Sequence, residues 1–434
     1  MTVRRSLGFC ALLLLSACGS KQDAMHDTLD AAARDYVQLS LTIGEKEEGY
    51  IDAYYGPPEL QAKAKVEAPK LALPDLAKRT DAIAARVAAL GKDASGLDAR
   101  RAAFLAAQLT AARTRLRMMV GEKLSFADEA KGLFGVTPML KPLSSYDAVL
   151  AKIETLVPGP GPLSDRVDAF QDRFTIPAVK LKPVFDAAIA ECKARTLRHI
   201  ALPKGEKFDM AFVTGKSWSG YNYYLGRATS RIEINTDLPI RINRAVDLGC
   251  HEGYPGHHVL NALLEQRLVK DRGWIEYSVY PLYSPQSLIA EGSANYGIDL
   301  AFPGPERLAY ETRALYPLAG LSTADAARYA GLQDAMKALA GARFTIAREL
   351  LEGRIDEAEA VKLAQRYQLV SAARAKQSVE FTKQYRSYVI NYGLGQDMVR
   401  ADVGAAGATP AARWNRMEQL LSEPTLPSDL RSGG

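Results

Sequence analysis

The chain has 434 residues, 47% apolar and 24% charged, an ordinary balance for a globular protein of one large domain or two to three small ones. Its net charge of +5 includes Arg4 and Arg5 of the leader and shows no concentrated basic face, so nucleic acid is not an expected partner. Of four cysteines, Cys10 and Cys18 fall in the N-terminal leader, and the remaining two, Cys192 and Cys250, are too few for a disulfide scaffold or a zinc ribbon.

Arg4 and Arg5 precede a short apolar run at 7–15. A bilayer-spanning helix takes roughly 20 apolar residues, so this run is a secretory signal and not a span. It ends Leu15-Ser16-Ala17-Cys18, which looks like a bacterial lipobox. On this reading 1–17 is removed as a signal peptide, Cys18 is lipidated, and 18–24 is a tether. Gly19, in place of an aspartate, suggests the outer membrane, with the chain on its periplasmic face.

An apolar stripe predicts a helix over 26–48. Tyrosine-rich 50–58, closed by Gly-Pro-Pro, reads as a loop whose tyrosines pack with their hydroxyls at the rim. Ala/Leu/Arg-rich 75–120 reads as two long helices broken near 91–95. Helices follow at 145–156, 163–174 and 180–199. The texture changes at 207. Segments 208–213, 220–225 and 230–235 are short and rich in β-branched and aromatic residues; the last alternates strictly and reads as a strand with one buried face. A helix then runs from Ile240 into the next segment. Residues 277–283 read as a loop, 287–300 as a helix, and 324–351 and 357–388 as long helices. Gly393 and Gly395 break the order at 389–398, and a short amphipathic helix spans 410–423. The expected fold is mainly α, with a small antiparallel sheet beside one central helix. A helical region at 25–206 precedes a site-bearing region at 207–402 and a C-terminal helix and tail at 403–434.

Residues 251–258, His-Glu-Gly-Tyr-Pro-Gly-His-His, hold three of the five histidines. Imidazoles and a carboxylate are what a zinc ion binds and what an attacking water needs beside it. On an unbroken helix His257 lies ~120° round from His251, and His258 lies ~10 Å along. Neither can share an ion with it. Pro255 breaks the ladder and Gly256 relaxes the backbone, so a local bulge can return His257 to the place of an i+4 ligand. His251 and His257 are therefore the expected metal ligands. His258 is a nearby hydrogen-bond donor, though the last two histidines can exchange roles. Glu291, in a small-residue helix context, is the expected third ligand, ahead of Asp299 and Glu276. Glu252 is the general base. Zinc is the first expectation, although an N/O site accepts other divalent ions. Cys250 reads as a small buried residue.

The string at 251–258, with Glu291-Gly292-Ser293-Ala294-Asn295-Tyr296 and Asn391-Tyr392-Gly393-Leu394-Gly395, resembles the bacterial family called domain of unknown function 885. Asp52-Ala53-Tyr54-Tyr55-Gly56-Pro57 is similar to that group as well. Its members look like distant relatives of the mostly helical gluzincin metallopeptidases. The family pattern has a tryptophan at Ser293 and an acid at Ile298. The resemblance implies a gluzincin-like fold, a zinc peptidase acting on peptide or another acyl substrate, strand 230–235 as the sheet edge that receives it, and Tyr392 as donor to the developing oxyanion. A non-catalytic envelope lipoprotein that binds peptides or cell-wall fragments in the same cleft is the alternative.

Overall fold

A computed structural model describes residues 21–430, with side chains from residue 28. The leader and Cys18 lie outside the described residues. Helices dominate. They begin with α1 (Lys21–Gly44), which buries Leu29, Ala32, Ala33, Tyr36 and Val37, the stripe its spacing predicts. The strand β1 (Ile51–Tyr54) follows, then α2 (Leu73–Gly91), α3 (Gly96–Met119) and α4 (Leu181–Thr196). The central portion holds β2 (Lys207–Val213), β3 (Gly220–Tyr224), β4 (Thr229–Asn235), α5 (Asn243–Leu248), α6 (His257–Leu264), β5 (Val279–Pro281) and α7 (Pro285–Ala301). The remainder is helical: α8 (Ala326–Lys337), α9 (Ala340–Leu351), α10 (Glu357–Gln368), α11 (Ala372–Tyr385), α12 (Ile390–Ala405) and α13 (Pro410–Ser422). Shorter helices over Pro58–Glu67 and Phe126–Phe134 were not expected from the pattern.

Five expectations are corrected. Segments 50–58 and 277–283 are not both loops: β1 and β5 pair antiparallel, Ala53 opposite Tyr280. Each partner is too short to announce itself, and they are separated by more than 200 residues. The long helix expected at 324–351 is two, broken at Ala338–Leu339. That at 357–388 is also two: Leu369 turns left-handed at φ 54°, and the Ser371 hydroxyl caps the next helix. Conversely, Gly393 and Gly395 sit inside α12 and do not break it. Their role is close packing. A Cβ on Gly395 would stand 2.7 Å from the carbonyl oxygen of Leu288, and one on Gly292 2.5 Å from Gly395. Glycines at both positions let α7 and α12 touch backbone to backbone.

The three-stranded sheet runs in the order β2–β4–β3, with β3–β4 antiparallel and β2–β4 parallel. The alternating strand 230–235 is thus central and has no free edge; β2 and β3 are the edge strands, and of the two β3 lines a cleft. Alternation identifies a strand but not its neighbours. Apolar side chains from Leu29 to Leu430 form one continuous core, shared by the regions 25–206 and 207–402. Among the described residues no helix is long and apolar enough to cross a membrane.

Candidate metal centre

The helix α5 widens into a π-helical turn over Gly249–Gly253, and the chain then breaks at Tyr254–Gly256, where the Tyr254–Pro255 peptide is cis. A new helix, α6, starts at His257. The expected bulge is therefore a wide turn plus a helix restart. Its closure is the Gly256 N–H donating to the Cys250 carbonyl at 3.0 Å. A Cβ on Gly256 would lie 1.7 Å from the carbonyl oxygen of His251, so only glycine fits. Pro255 in turn sits over Gly297 of α7, where a Cβ would meet its ring at 2.7 Å. Cys192 of α4 and Cys250 of the π turn form a disulfide, Cα to Cα 5.4 Å. Cys250 is buried as expected, but as half of a bridge, which removes it as a metal ligand.

This turn folds His257 back onto His251. Their Nε2 atoms are 3.1 Å apart with the rings near perpendicular. Glu291, on the facing side of α7, puts Oε2 3.2 Å from His251 Nε2 and Oε1 3.7 Å from His257 Nε2. All three ligand atoms lie within 4.8 Å of one another. Ligands at zinc bond lengths of 2.0–2.2 Å in tetrahedral array stand roughly 3.3 Å apart, so the spacing suits a small divalent ion. Two further observations fit one. Glu291 Oε2 is buried without a well-aligned hydrogen bond. An Nε2 to Nε2 contact also needs a proton or a cation between the rings. Burial disfavours charge on both rings. At His251 the Glu252 and Glu291 carboxylates outweigh it and the pKa rises; at His257 burial and the neighbouring imidazolium prevail and hold it at about 4.

Polar groups behind the cluster aim it. His251 Nδ1 lies 3.2 Å from Asn295 Oδ1, whose amide donates to the Tyr392 carbonyl at 3.2 Å. This contact places a proton on Nδ1, so that a metal at the cluster would take the place of the Nε2 proton and meet the Nε2 lone pair. The Tyr388 hydroxyl donates to Glu291 Oε1 at 2.8 Å. Burial pushes the Glu291 carboxyl up, but His257, His251 and Tyr388 bring it below its ordinary value.

Glu252, Asp52 and Tyr392 line the same cleft, which has a volume of about 510 Å³. Burial lifts the Glu252 carboxyl to about 7; His251 opposes this and Glu291 adds to it. Its backbone carbonyl accepts from Asn222 of β3 at 2.6 Å. Burial likewise lifts Asp52 to about 7, against the hydrogen bond it accepts from Tyr221. The Tyr392 ring lies 6.4 Å from that of His251, close to parallel.

His258 is corrected. One residue on from His257, it points ~100° away. It is fully buried, with Nδ1 2.8 Å from Ser230 Oγ and Nε2 2.9 Å from Glu206. It pins α6 to β4 and does not line the cleft. Glu276 is buried against Arg101 at 2.5 Å, far from the cluster's wall. Asp299 lines the cleft but is held by Arg400 at 3.0 Å. Strand 230–235, expected as the sheet edge at the site, is central; the edge that lines the cleft is β3 with the residues before it, Ser217 to Asn222. The tyrosines of 50–58 pack away from it, Tyr54 donating to the Pro57 carbonyl and Tyr55 to that of Tyr277. Asp52 between them faces in. Sequence reasoning missed Asp52, Asn222, Asn295 and Tyr388. Tyr388, in the 3₁₀ turn Arg386–Val389, and Tyr392, in the first turn of α12, bring their rings within 5.9 Å across a junction that the expected break at 389–398 hid. Nothing in the local pattern marked Asp52.

No protein-family model matches the chain, so the resemblance to domain of unknown function 885 rests on its motifs alone. No curated protein matches either. Among solved structures, a candidate lipoprotein from Colwellia psychrerythraea aligns with TM-score 0.49 and 14% identity over 84% of this chain and 70% of its own. The protein BsuCP gives 0.43 and 11% over 92% and 88%. An M32 carboxypeptidase from Deinococcus radiodurans R1 gives 0.36 and 14% over 95% and 92%. At such scores the likeness is loose and transfers no activity. The mainly α fold with its small sheet stands on the chain's own elements.

Proposed function

We propose that this protein is a metal-dependent hydrolase of peptide amides, held at the periplasmic face of the bacterial outer membrane by a lipid on Cys18. One observation carries the catalytic reading: His251, His257 and Glu291 converge within 4.8 Å of one another in a cleft that also holds Glu252. Two imidazoles and a carboxylate would hold Zn²⁺, leaving an open position. When bound, such an ion polarises a carbonyl and makes water a stronger nucleophile near neutral pH.

The protein's own groups then divide the work. Glu252, lining the cleft beside His251, takes a proton from the attacking water and returns it to the leaving amine. Asn295 and Tyr388 fix the orientation of His251 and Glu291. The Tyr392 hydroxyl, held protonated because burial raises its pKa far above the ordinary range, donates to the oxygen on which charge develops. The free edge of β3 offers backbone groups to an extended substrate, as edge strands do.

Elemental analysis and a peptide-pool digest test this. Purified protein should carry close to one zinc per chain, and His251→Ala should lose it. Glu252→Gln should keep the metal while hydrolysis falls about 10²–10⁴-fold. Unchanged hydrolysis by Glu252→Gln would remove the mechanism. Metal without any hydrolysis by the unaltered protein would favour the peptide-binding lipoprotein.

A further inference from the structure

Among the described residues five cations, Arg and Lys, line the cleft, and three of them are paired with acids. Arg307 holds Asp247 and Glu311, each at 2.8 Å; Arg244 shares Asp247 at 3.3 Å; Lys337 lies 3.1 Å from Asp334. Arg374 donates to the Pro239 carbonyl at 2.8 Å. Arg343 of α9 differs. Among the described residues it makes no ion pair or hydrogen bond, and its Nε is buried with no acceptor. Its guanidinium lies against the Phe381 ring at 5.0 Å and the Tyr392 ring at 5.9 Å, which fix its position. The close approach of α9 to α12 at Gly393, where a Cβ would meet Phe344 at 2.6 Å, brings it there. Arg343 is half-buried, its Nε is enclosed without an acceptor, and the side chain lines the cleft, where a ligand can satisfy it.

The position relative to the metal cluster suggests which ligand. Arg343 and the His251 ring both neighbour the Tyr392 ring, at 5.9 and 6.4 Å from it. An extended residue spans roughly 3.3–3.6 Å, so a peptide whose scissile carbonyl sits at the cluster places a group one or two residues further along beside Arg343. A guanidinium matches a carboxylate with two parallel N–H donors.

We propose that Arg343 binds the free C-terminal carboxylate of a peptide substrate, so that the protein releases one or two residues from the carboxyl end. This rests on the hydrolase reading above and narrows its substrate class. Water adds to the scissile carbonyl carbon, the C–N bond breaks, and the nitrogen leaves with a proton. The products are a shortened acid and a small fragment that keeps the original carboxylate.

The test uses full-length zinc-loaded protein and three pools of N-acetylated tetrapeptides. One pool has free C-termini, one is amidated and lacks acidic residues, and one is amidated with Asp or Glu included. Cleavage is read by mass spectrometry, and binding to Glu252→Gln by calorimetry. The free-acid pool should be cleaved and bound at least about thirtyfold better than either amidated pool, the loss expected when a buried charge pair loses one partner. Arg343→Met should erase the difference, and Arg343→Lys should restore part of it, with metal content unchanged in both. Equal handling of acids and amides by the unaltered protein would overturn the proposal without touching the hydrolase reading. So would a preference that survives Arg343→Met, or Arg343-dependent cleavage of the acidic amidated pool. If no pool is cleaved or bound, the hydrolase reading and this inference fall together.

Discussion

In the metal-free protein Glu252 carries a carboxyl that burial holds at about 7, and Asp52 is lifted the same way. A raised carboxyl pKa means the folded chain binds a proton that the unfolded chain has already released. Between the ordinary value of 4.5 and about 7, stability therefore falls as pH rises, and above 7 the full cost is present. Glu252→Gln removes that cost. Metal-free Glu252→Gln should be more stable than the unaltered protein by about 1–3 kcal/mol at pH 8 and no different at pH 4, read from urea titrations. A gain of equal size at both pH values would mean that Glu252 is not held protonated by its site. The same reasoning gives Asp52→Asn the same sign.

The element that matters most is the interrupted helix between α5 and α6. Its turn tolerates substitution very unevenly. A Cβ at Gly256 would overlap the His251 carbonyl, so Gly256→Ala must open the turn and part the two imidazoles. Zinc content should drop to background, with about 1–3 kcal/mol of stability lost to overpacking. Gly253→Ala, three residues earlier, meets nothing nearer than Phe208 at 3.9 Å. It should keep both metal and stability, because alanine suits a helical turn better than glycine. Metal retained by Gly256→Ala would show that the break is not what brings His251 and His257 together. The Cys192–Cys250 bridge acts on the same element from behind, tying the π turn to α4 across 58 residues of sequence.

At the scale of the molecule, residues distant in sequence share one core. Arg101 of α3 is fully buried and bonds Asp30 of α1 at 2.5 Å and Glu276, just before β5, at 2.5 and 3.0 Å. With the β1–β5 pairing it joins the first hundred residues to the region that carries the cluster. Arg101→Met would leave Glu276 buried without its partner, a loss of about 3–5 kcal/mol. Unfolding should remain a single transition that moves to lower urea as a whole. An early transition that leaves zinc bound would instead show that the N-terminal helices unfold independently.

Much of the site was legible before any coordinates. Three histidines and a glutamate within eight residues announce a metal by residue type, and the proline and glycine between them announce a broken helix. Helix positions and the alternation of 230–235 follow from side-chain period, which is a local property. Other features depend on which faces meet. The order β2–β4–β3 buries 230–235 between two neighbours and leaves β2 and β3 at the edges, with β3 on the cleft side. A single residue step turned His258 from the cleft towards Glu206. Asp52 reaches the cleft only through the pairing of β1 with β5, Tyr388 and Arg343 only because α7, α9 and α12 cross closely at glycines, and Cys192 finds Cys250 only through the packing of α4. Residue chemistry and period are written along the chain. Which side chains share a cavity, and which charge stays unpaired in it, is settled by burial and contact between distant segments, which no local pattern encodes.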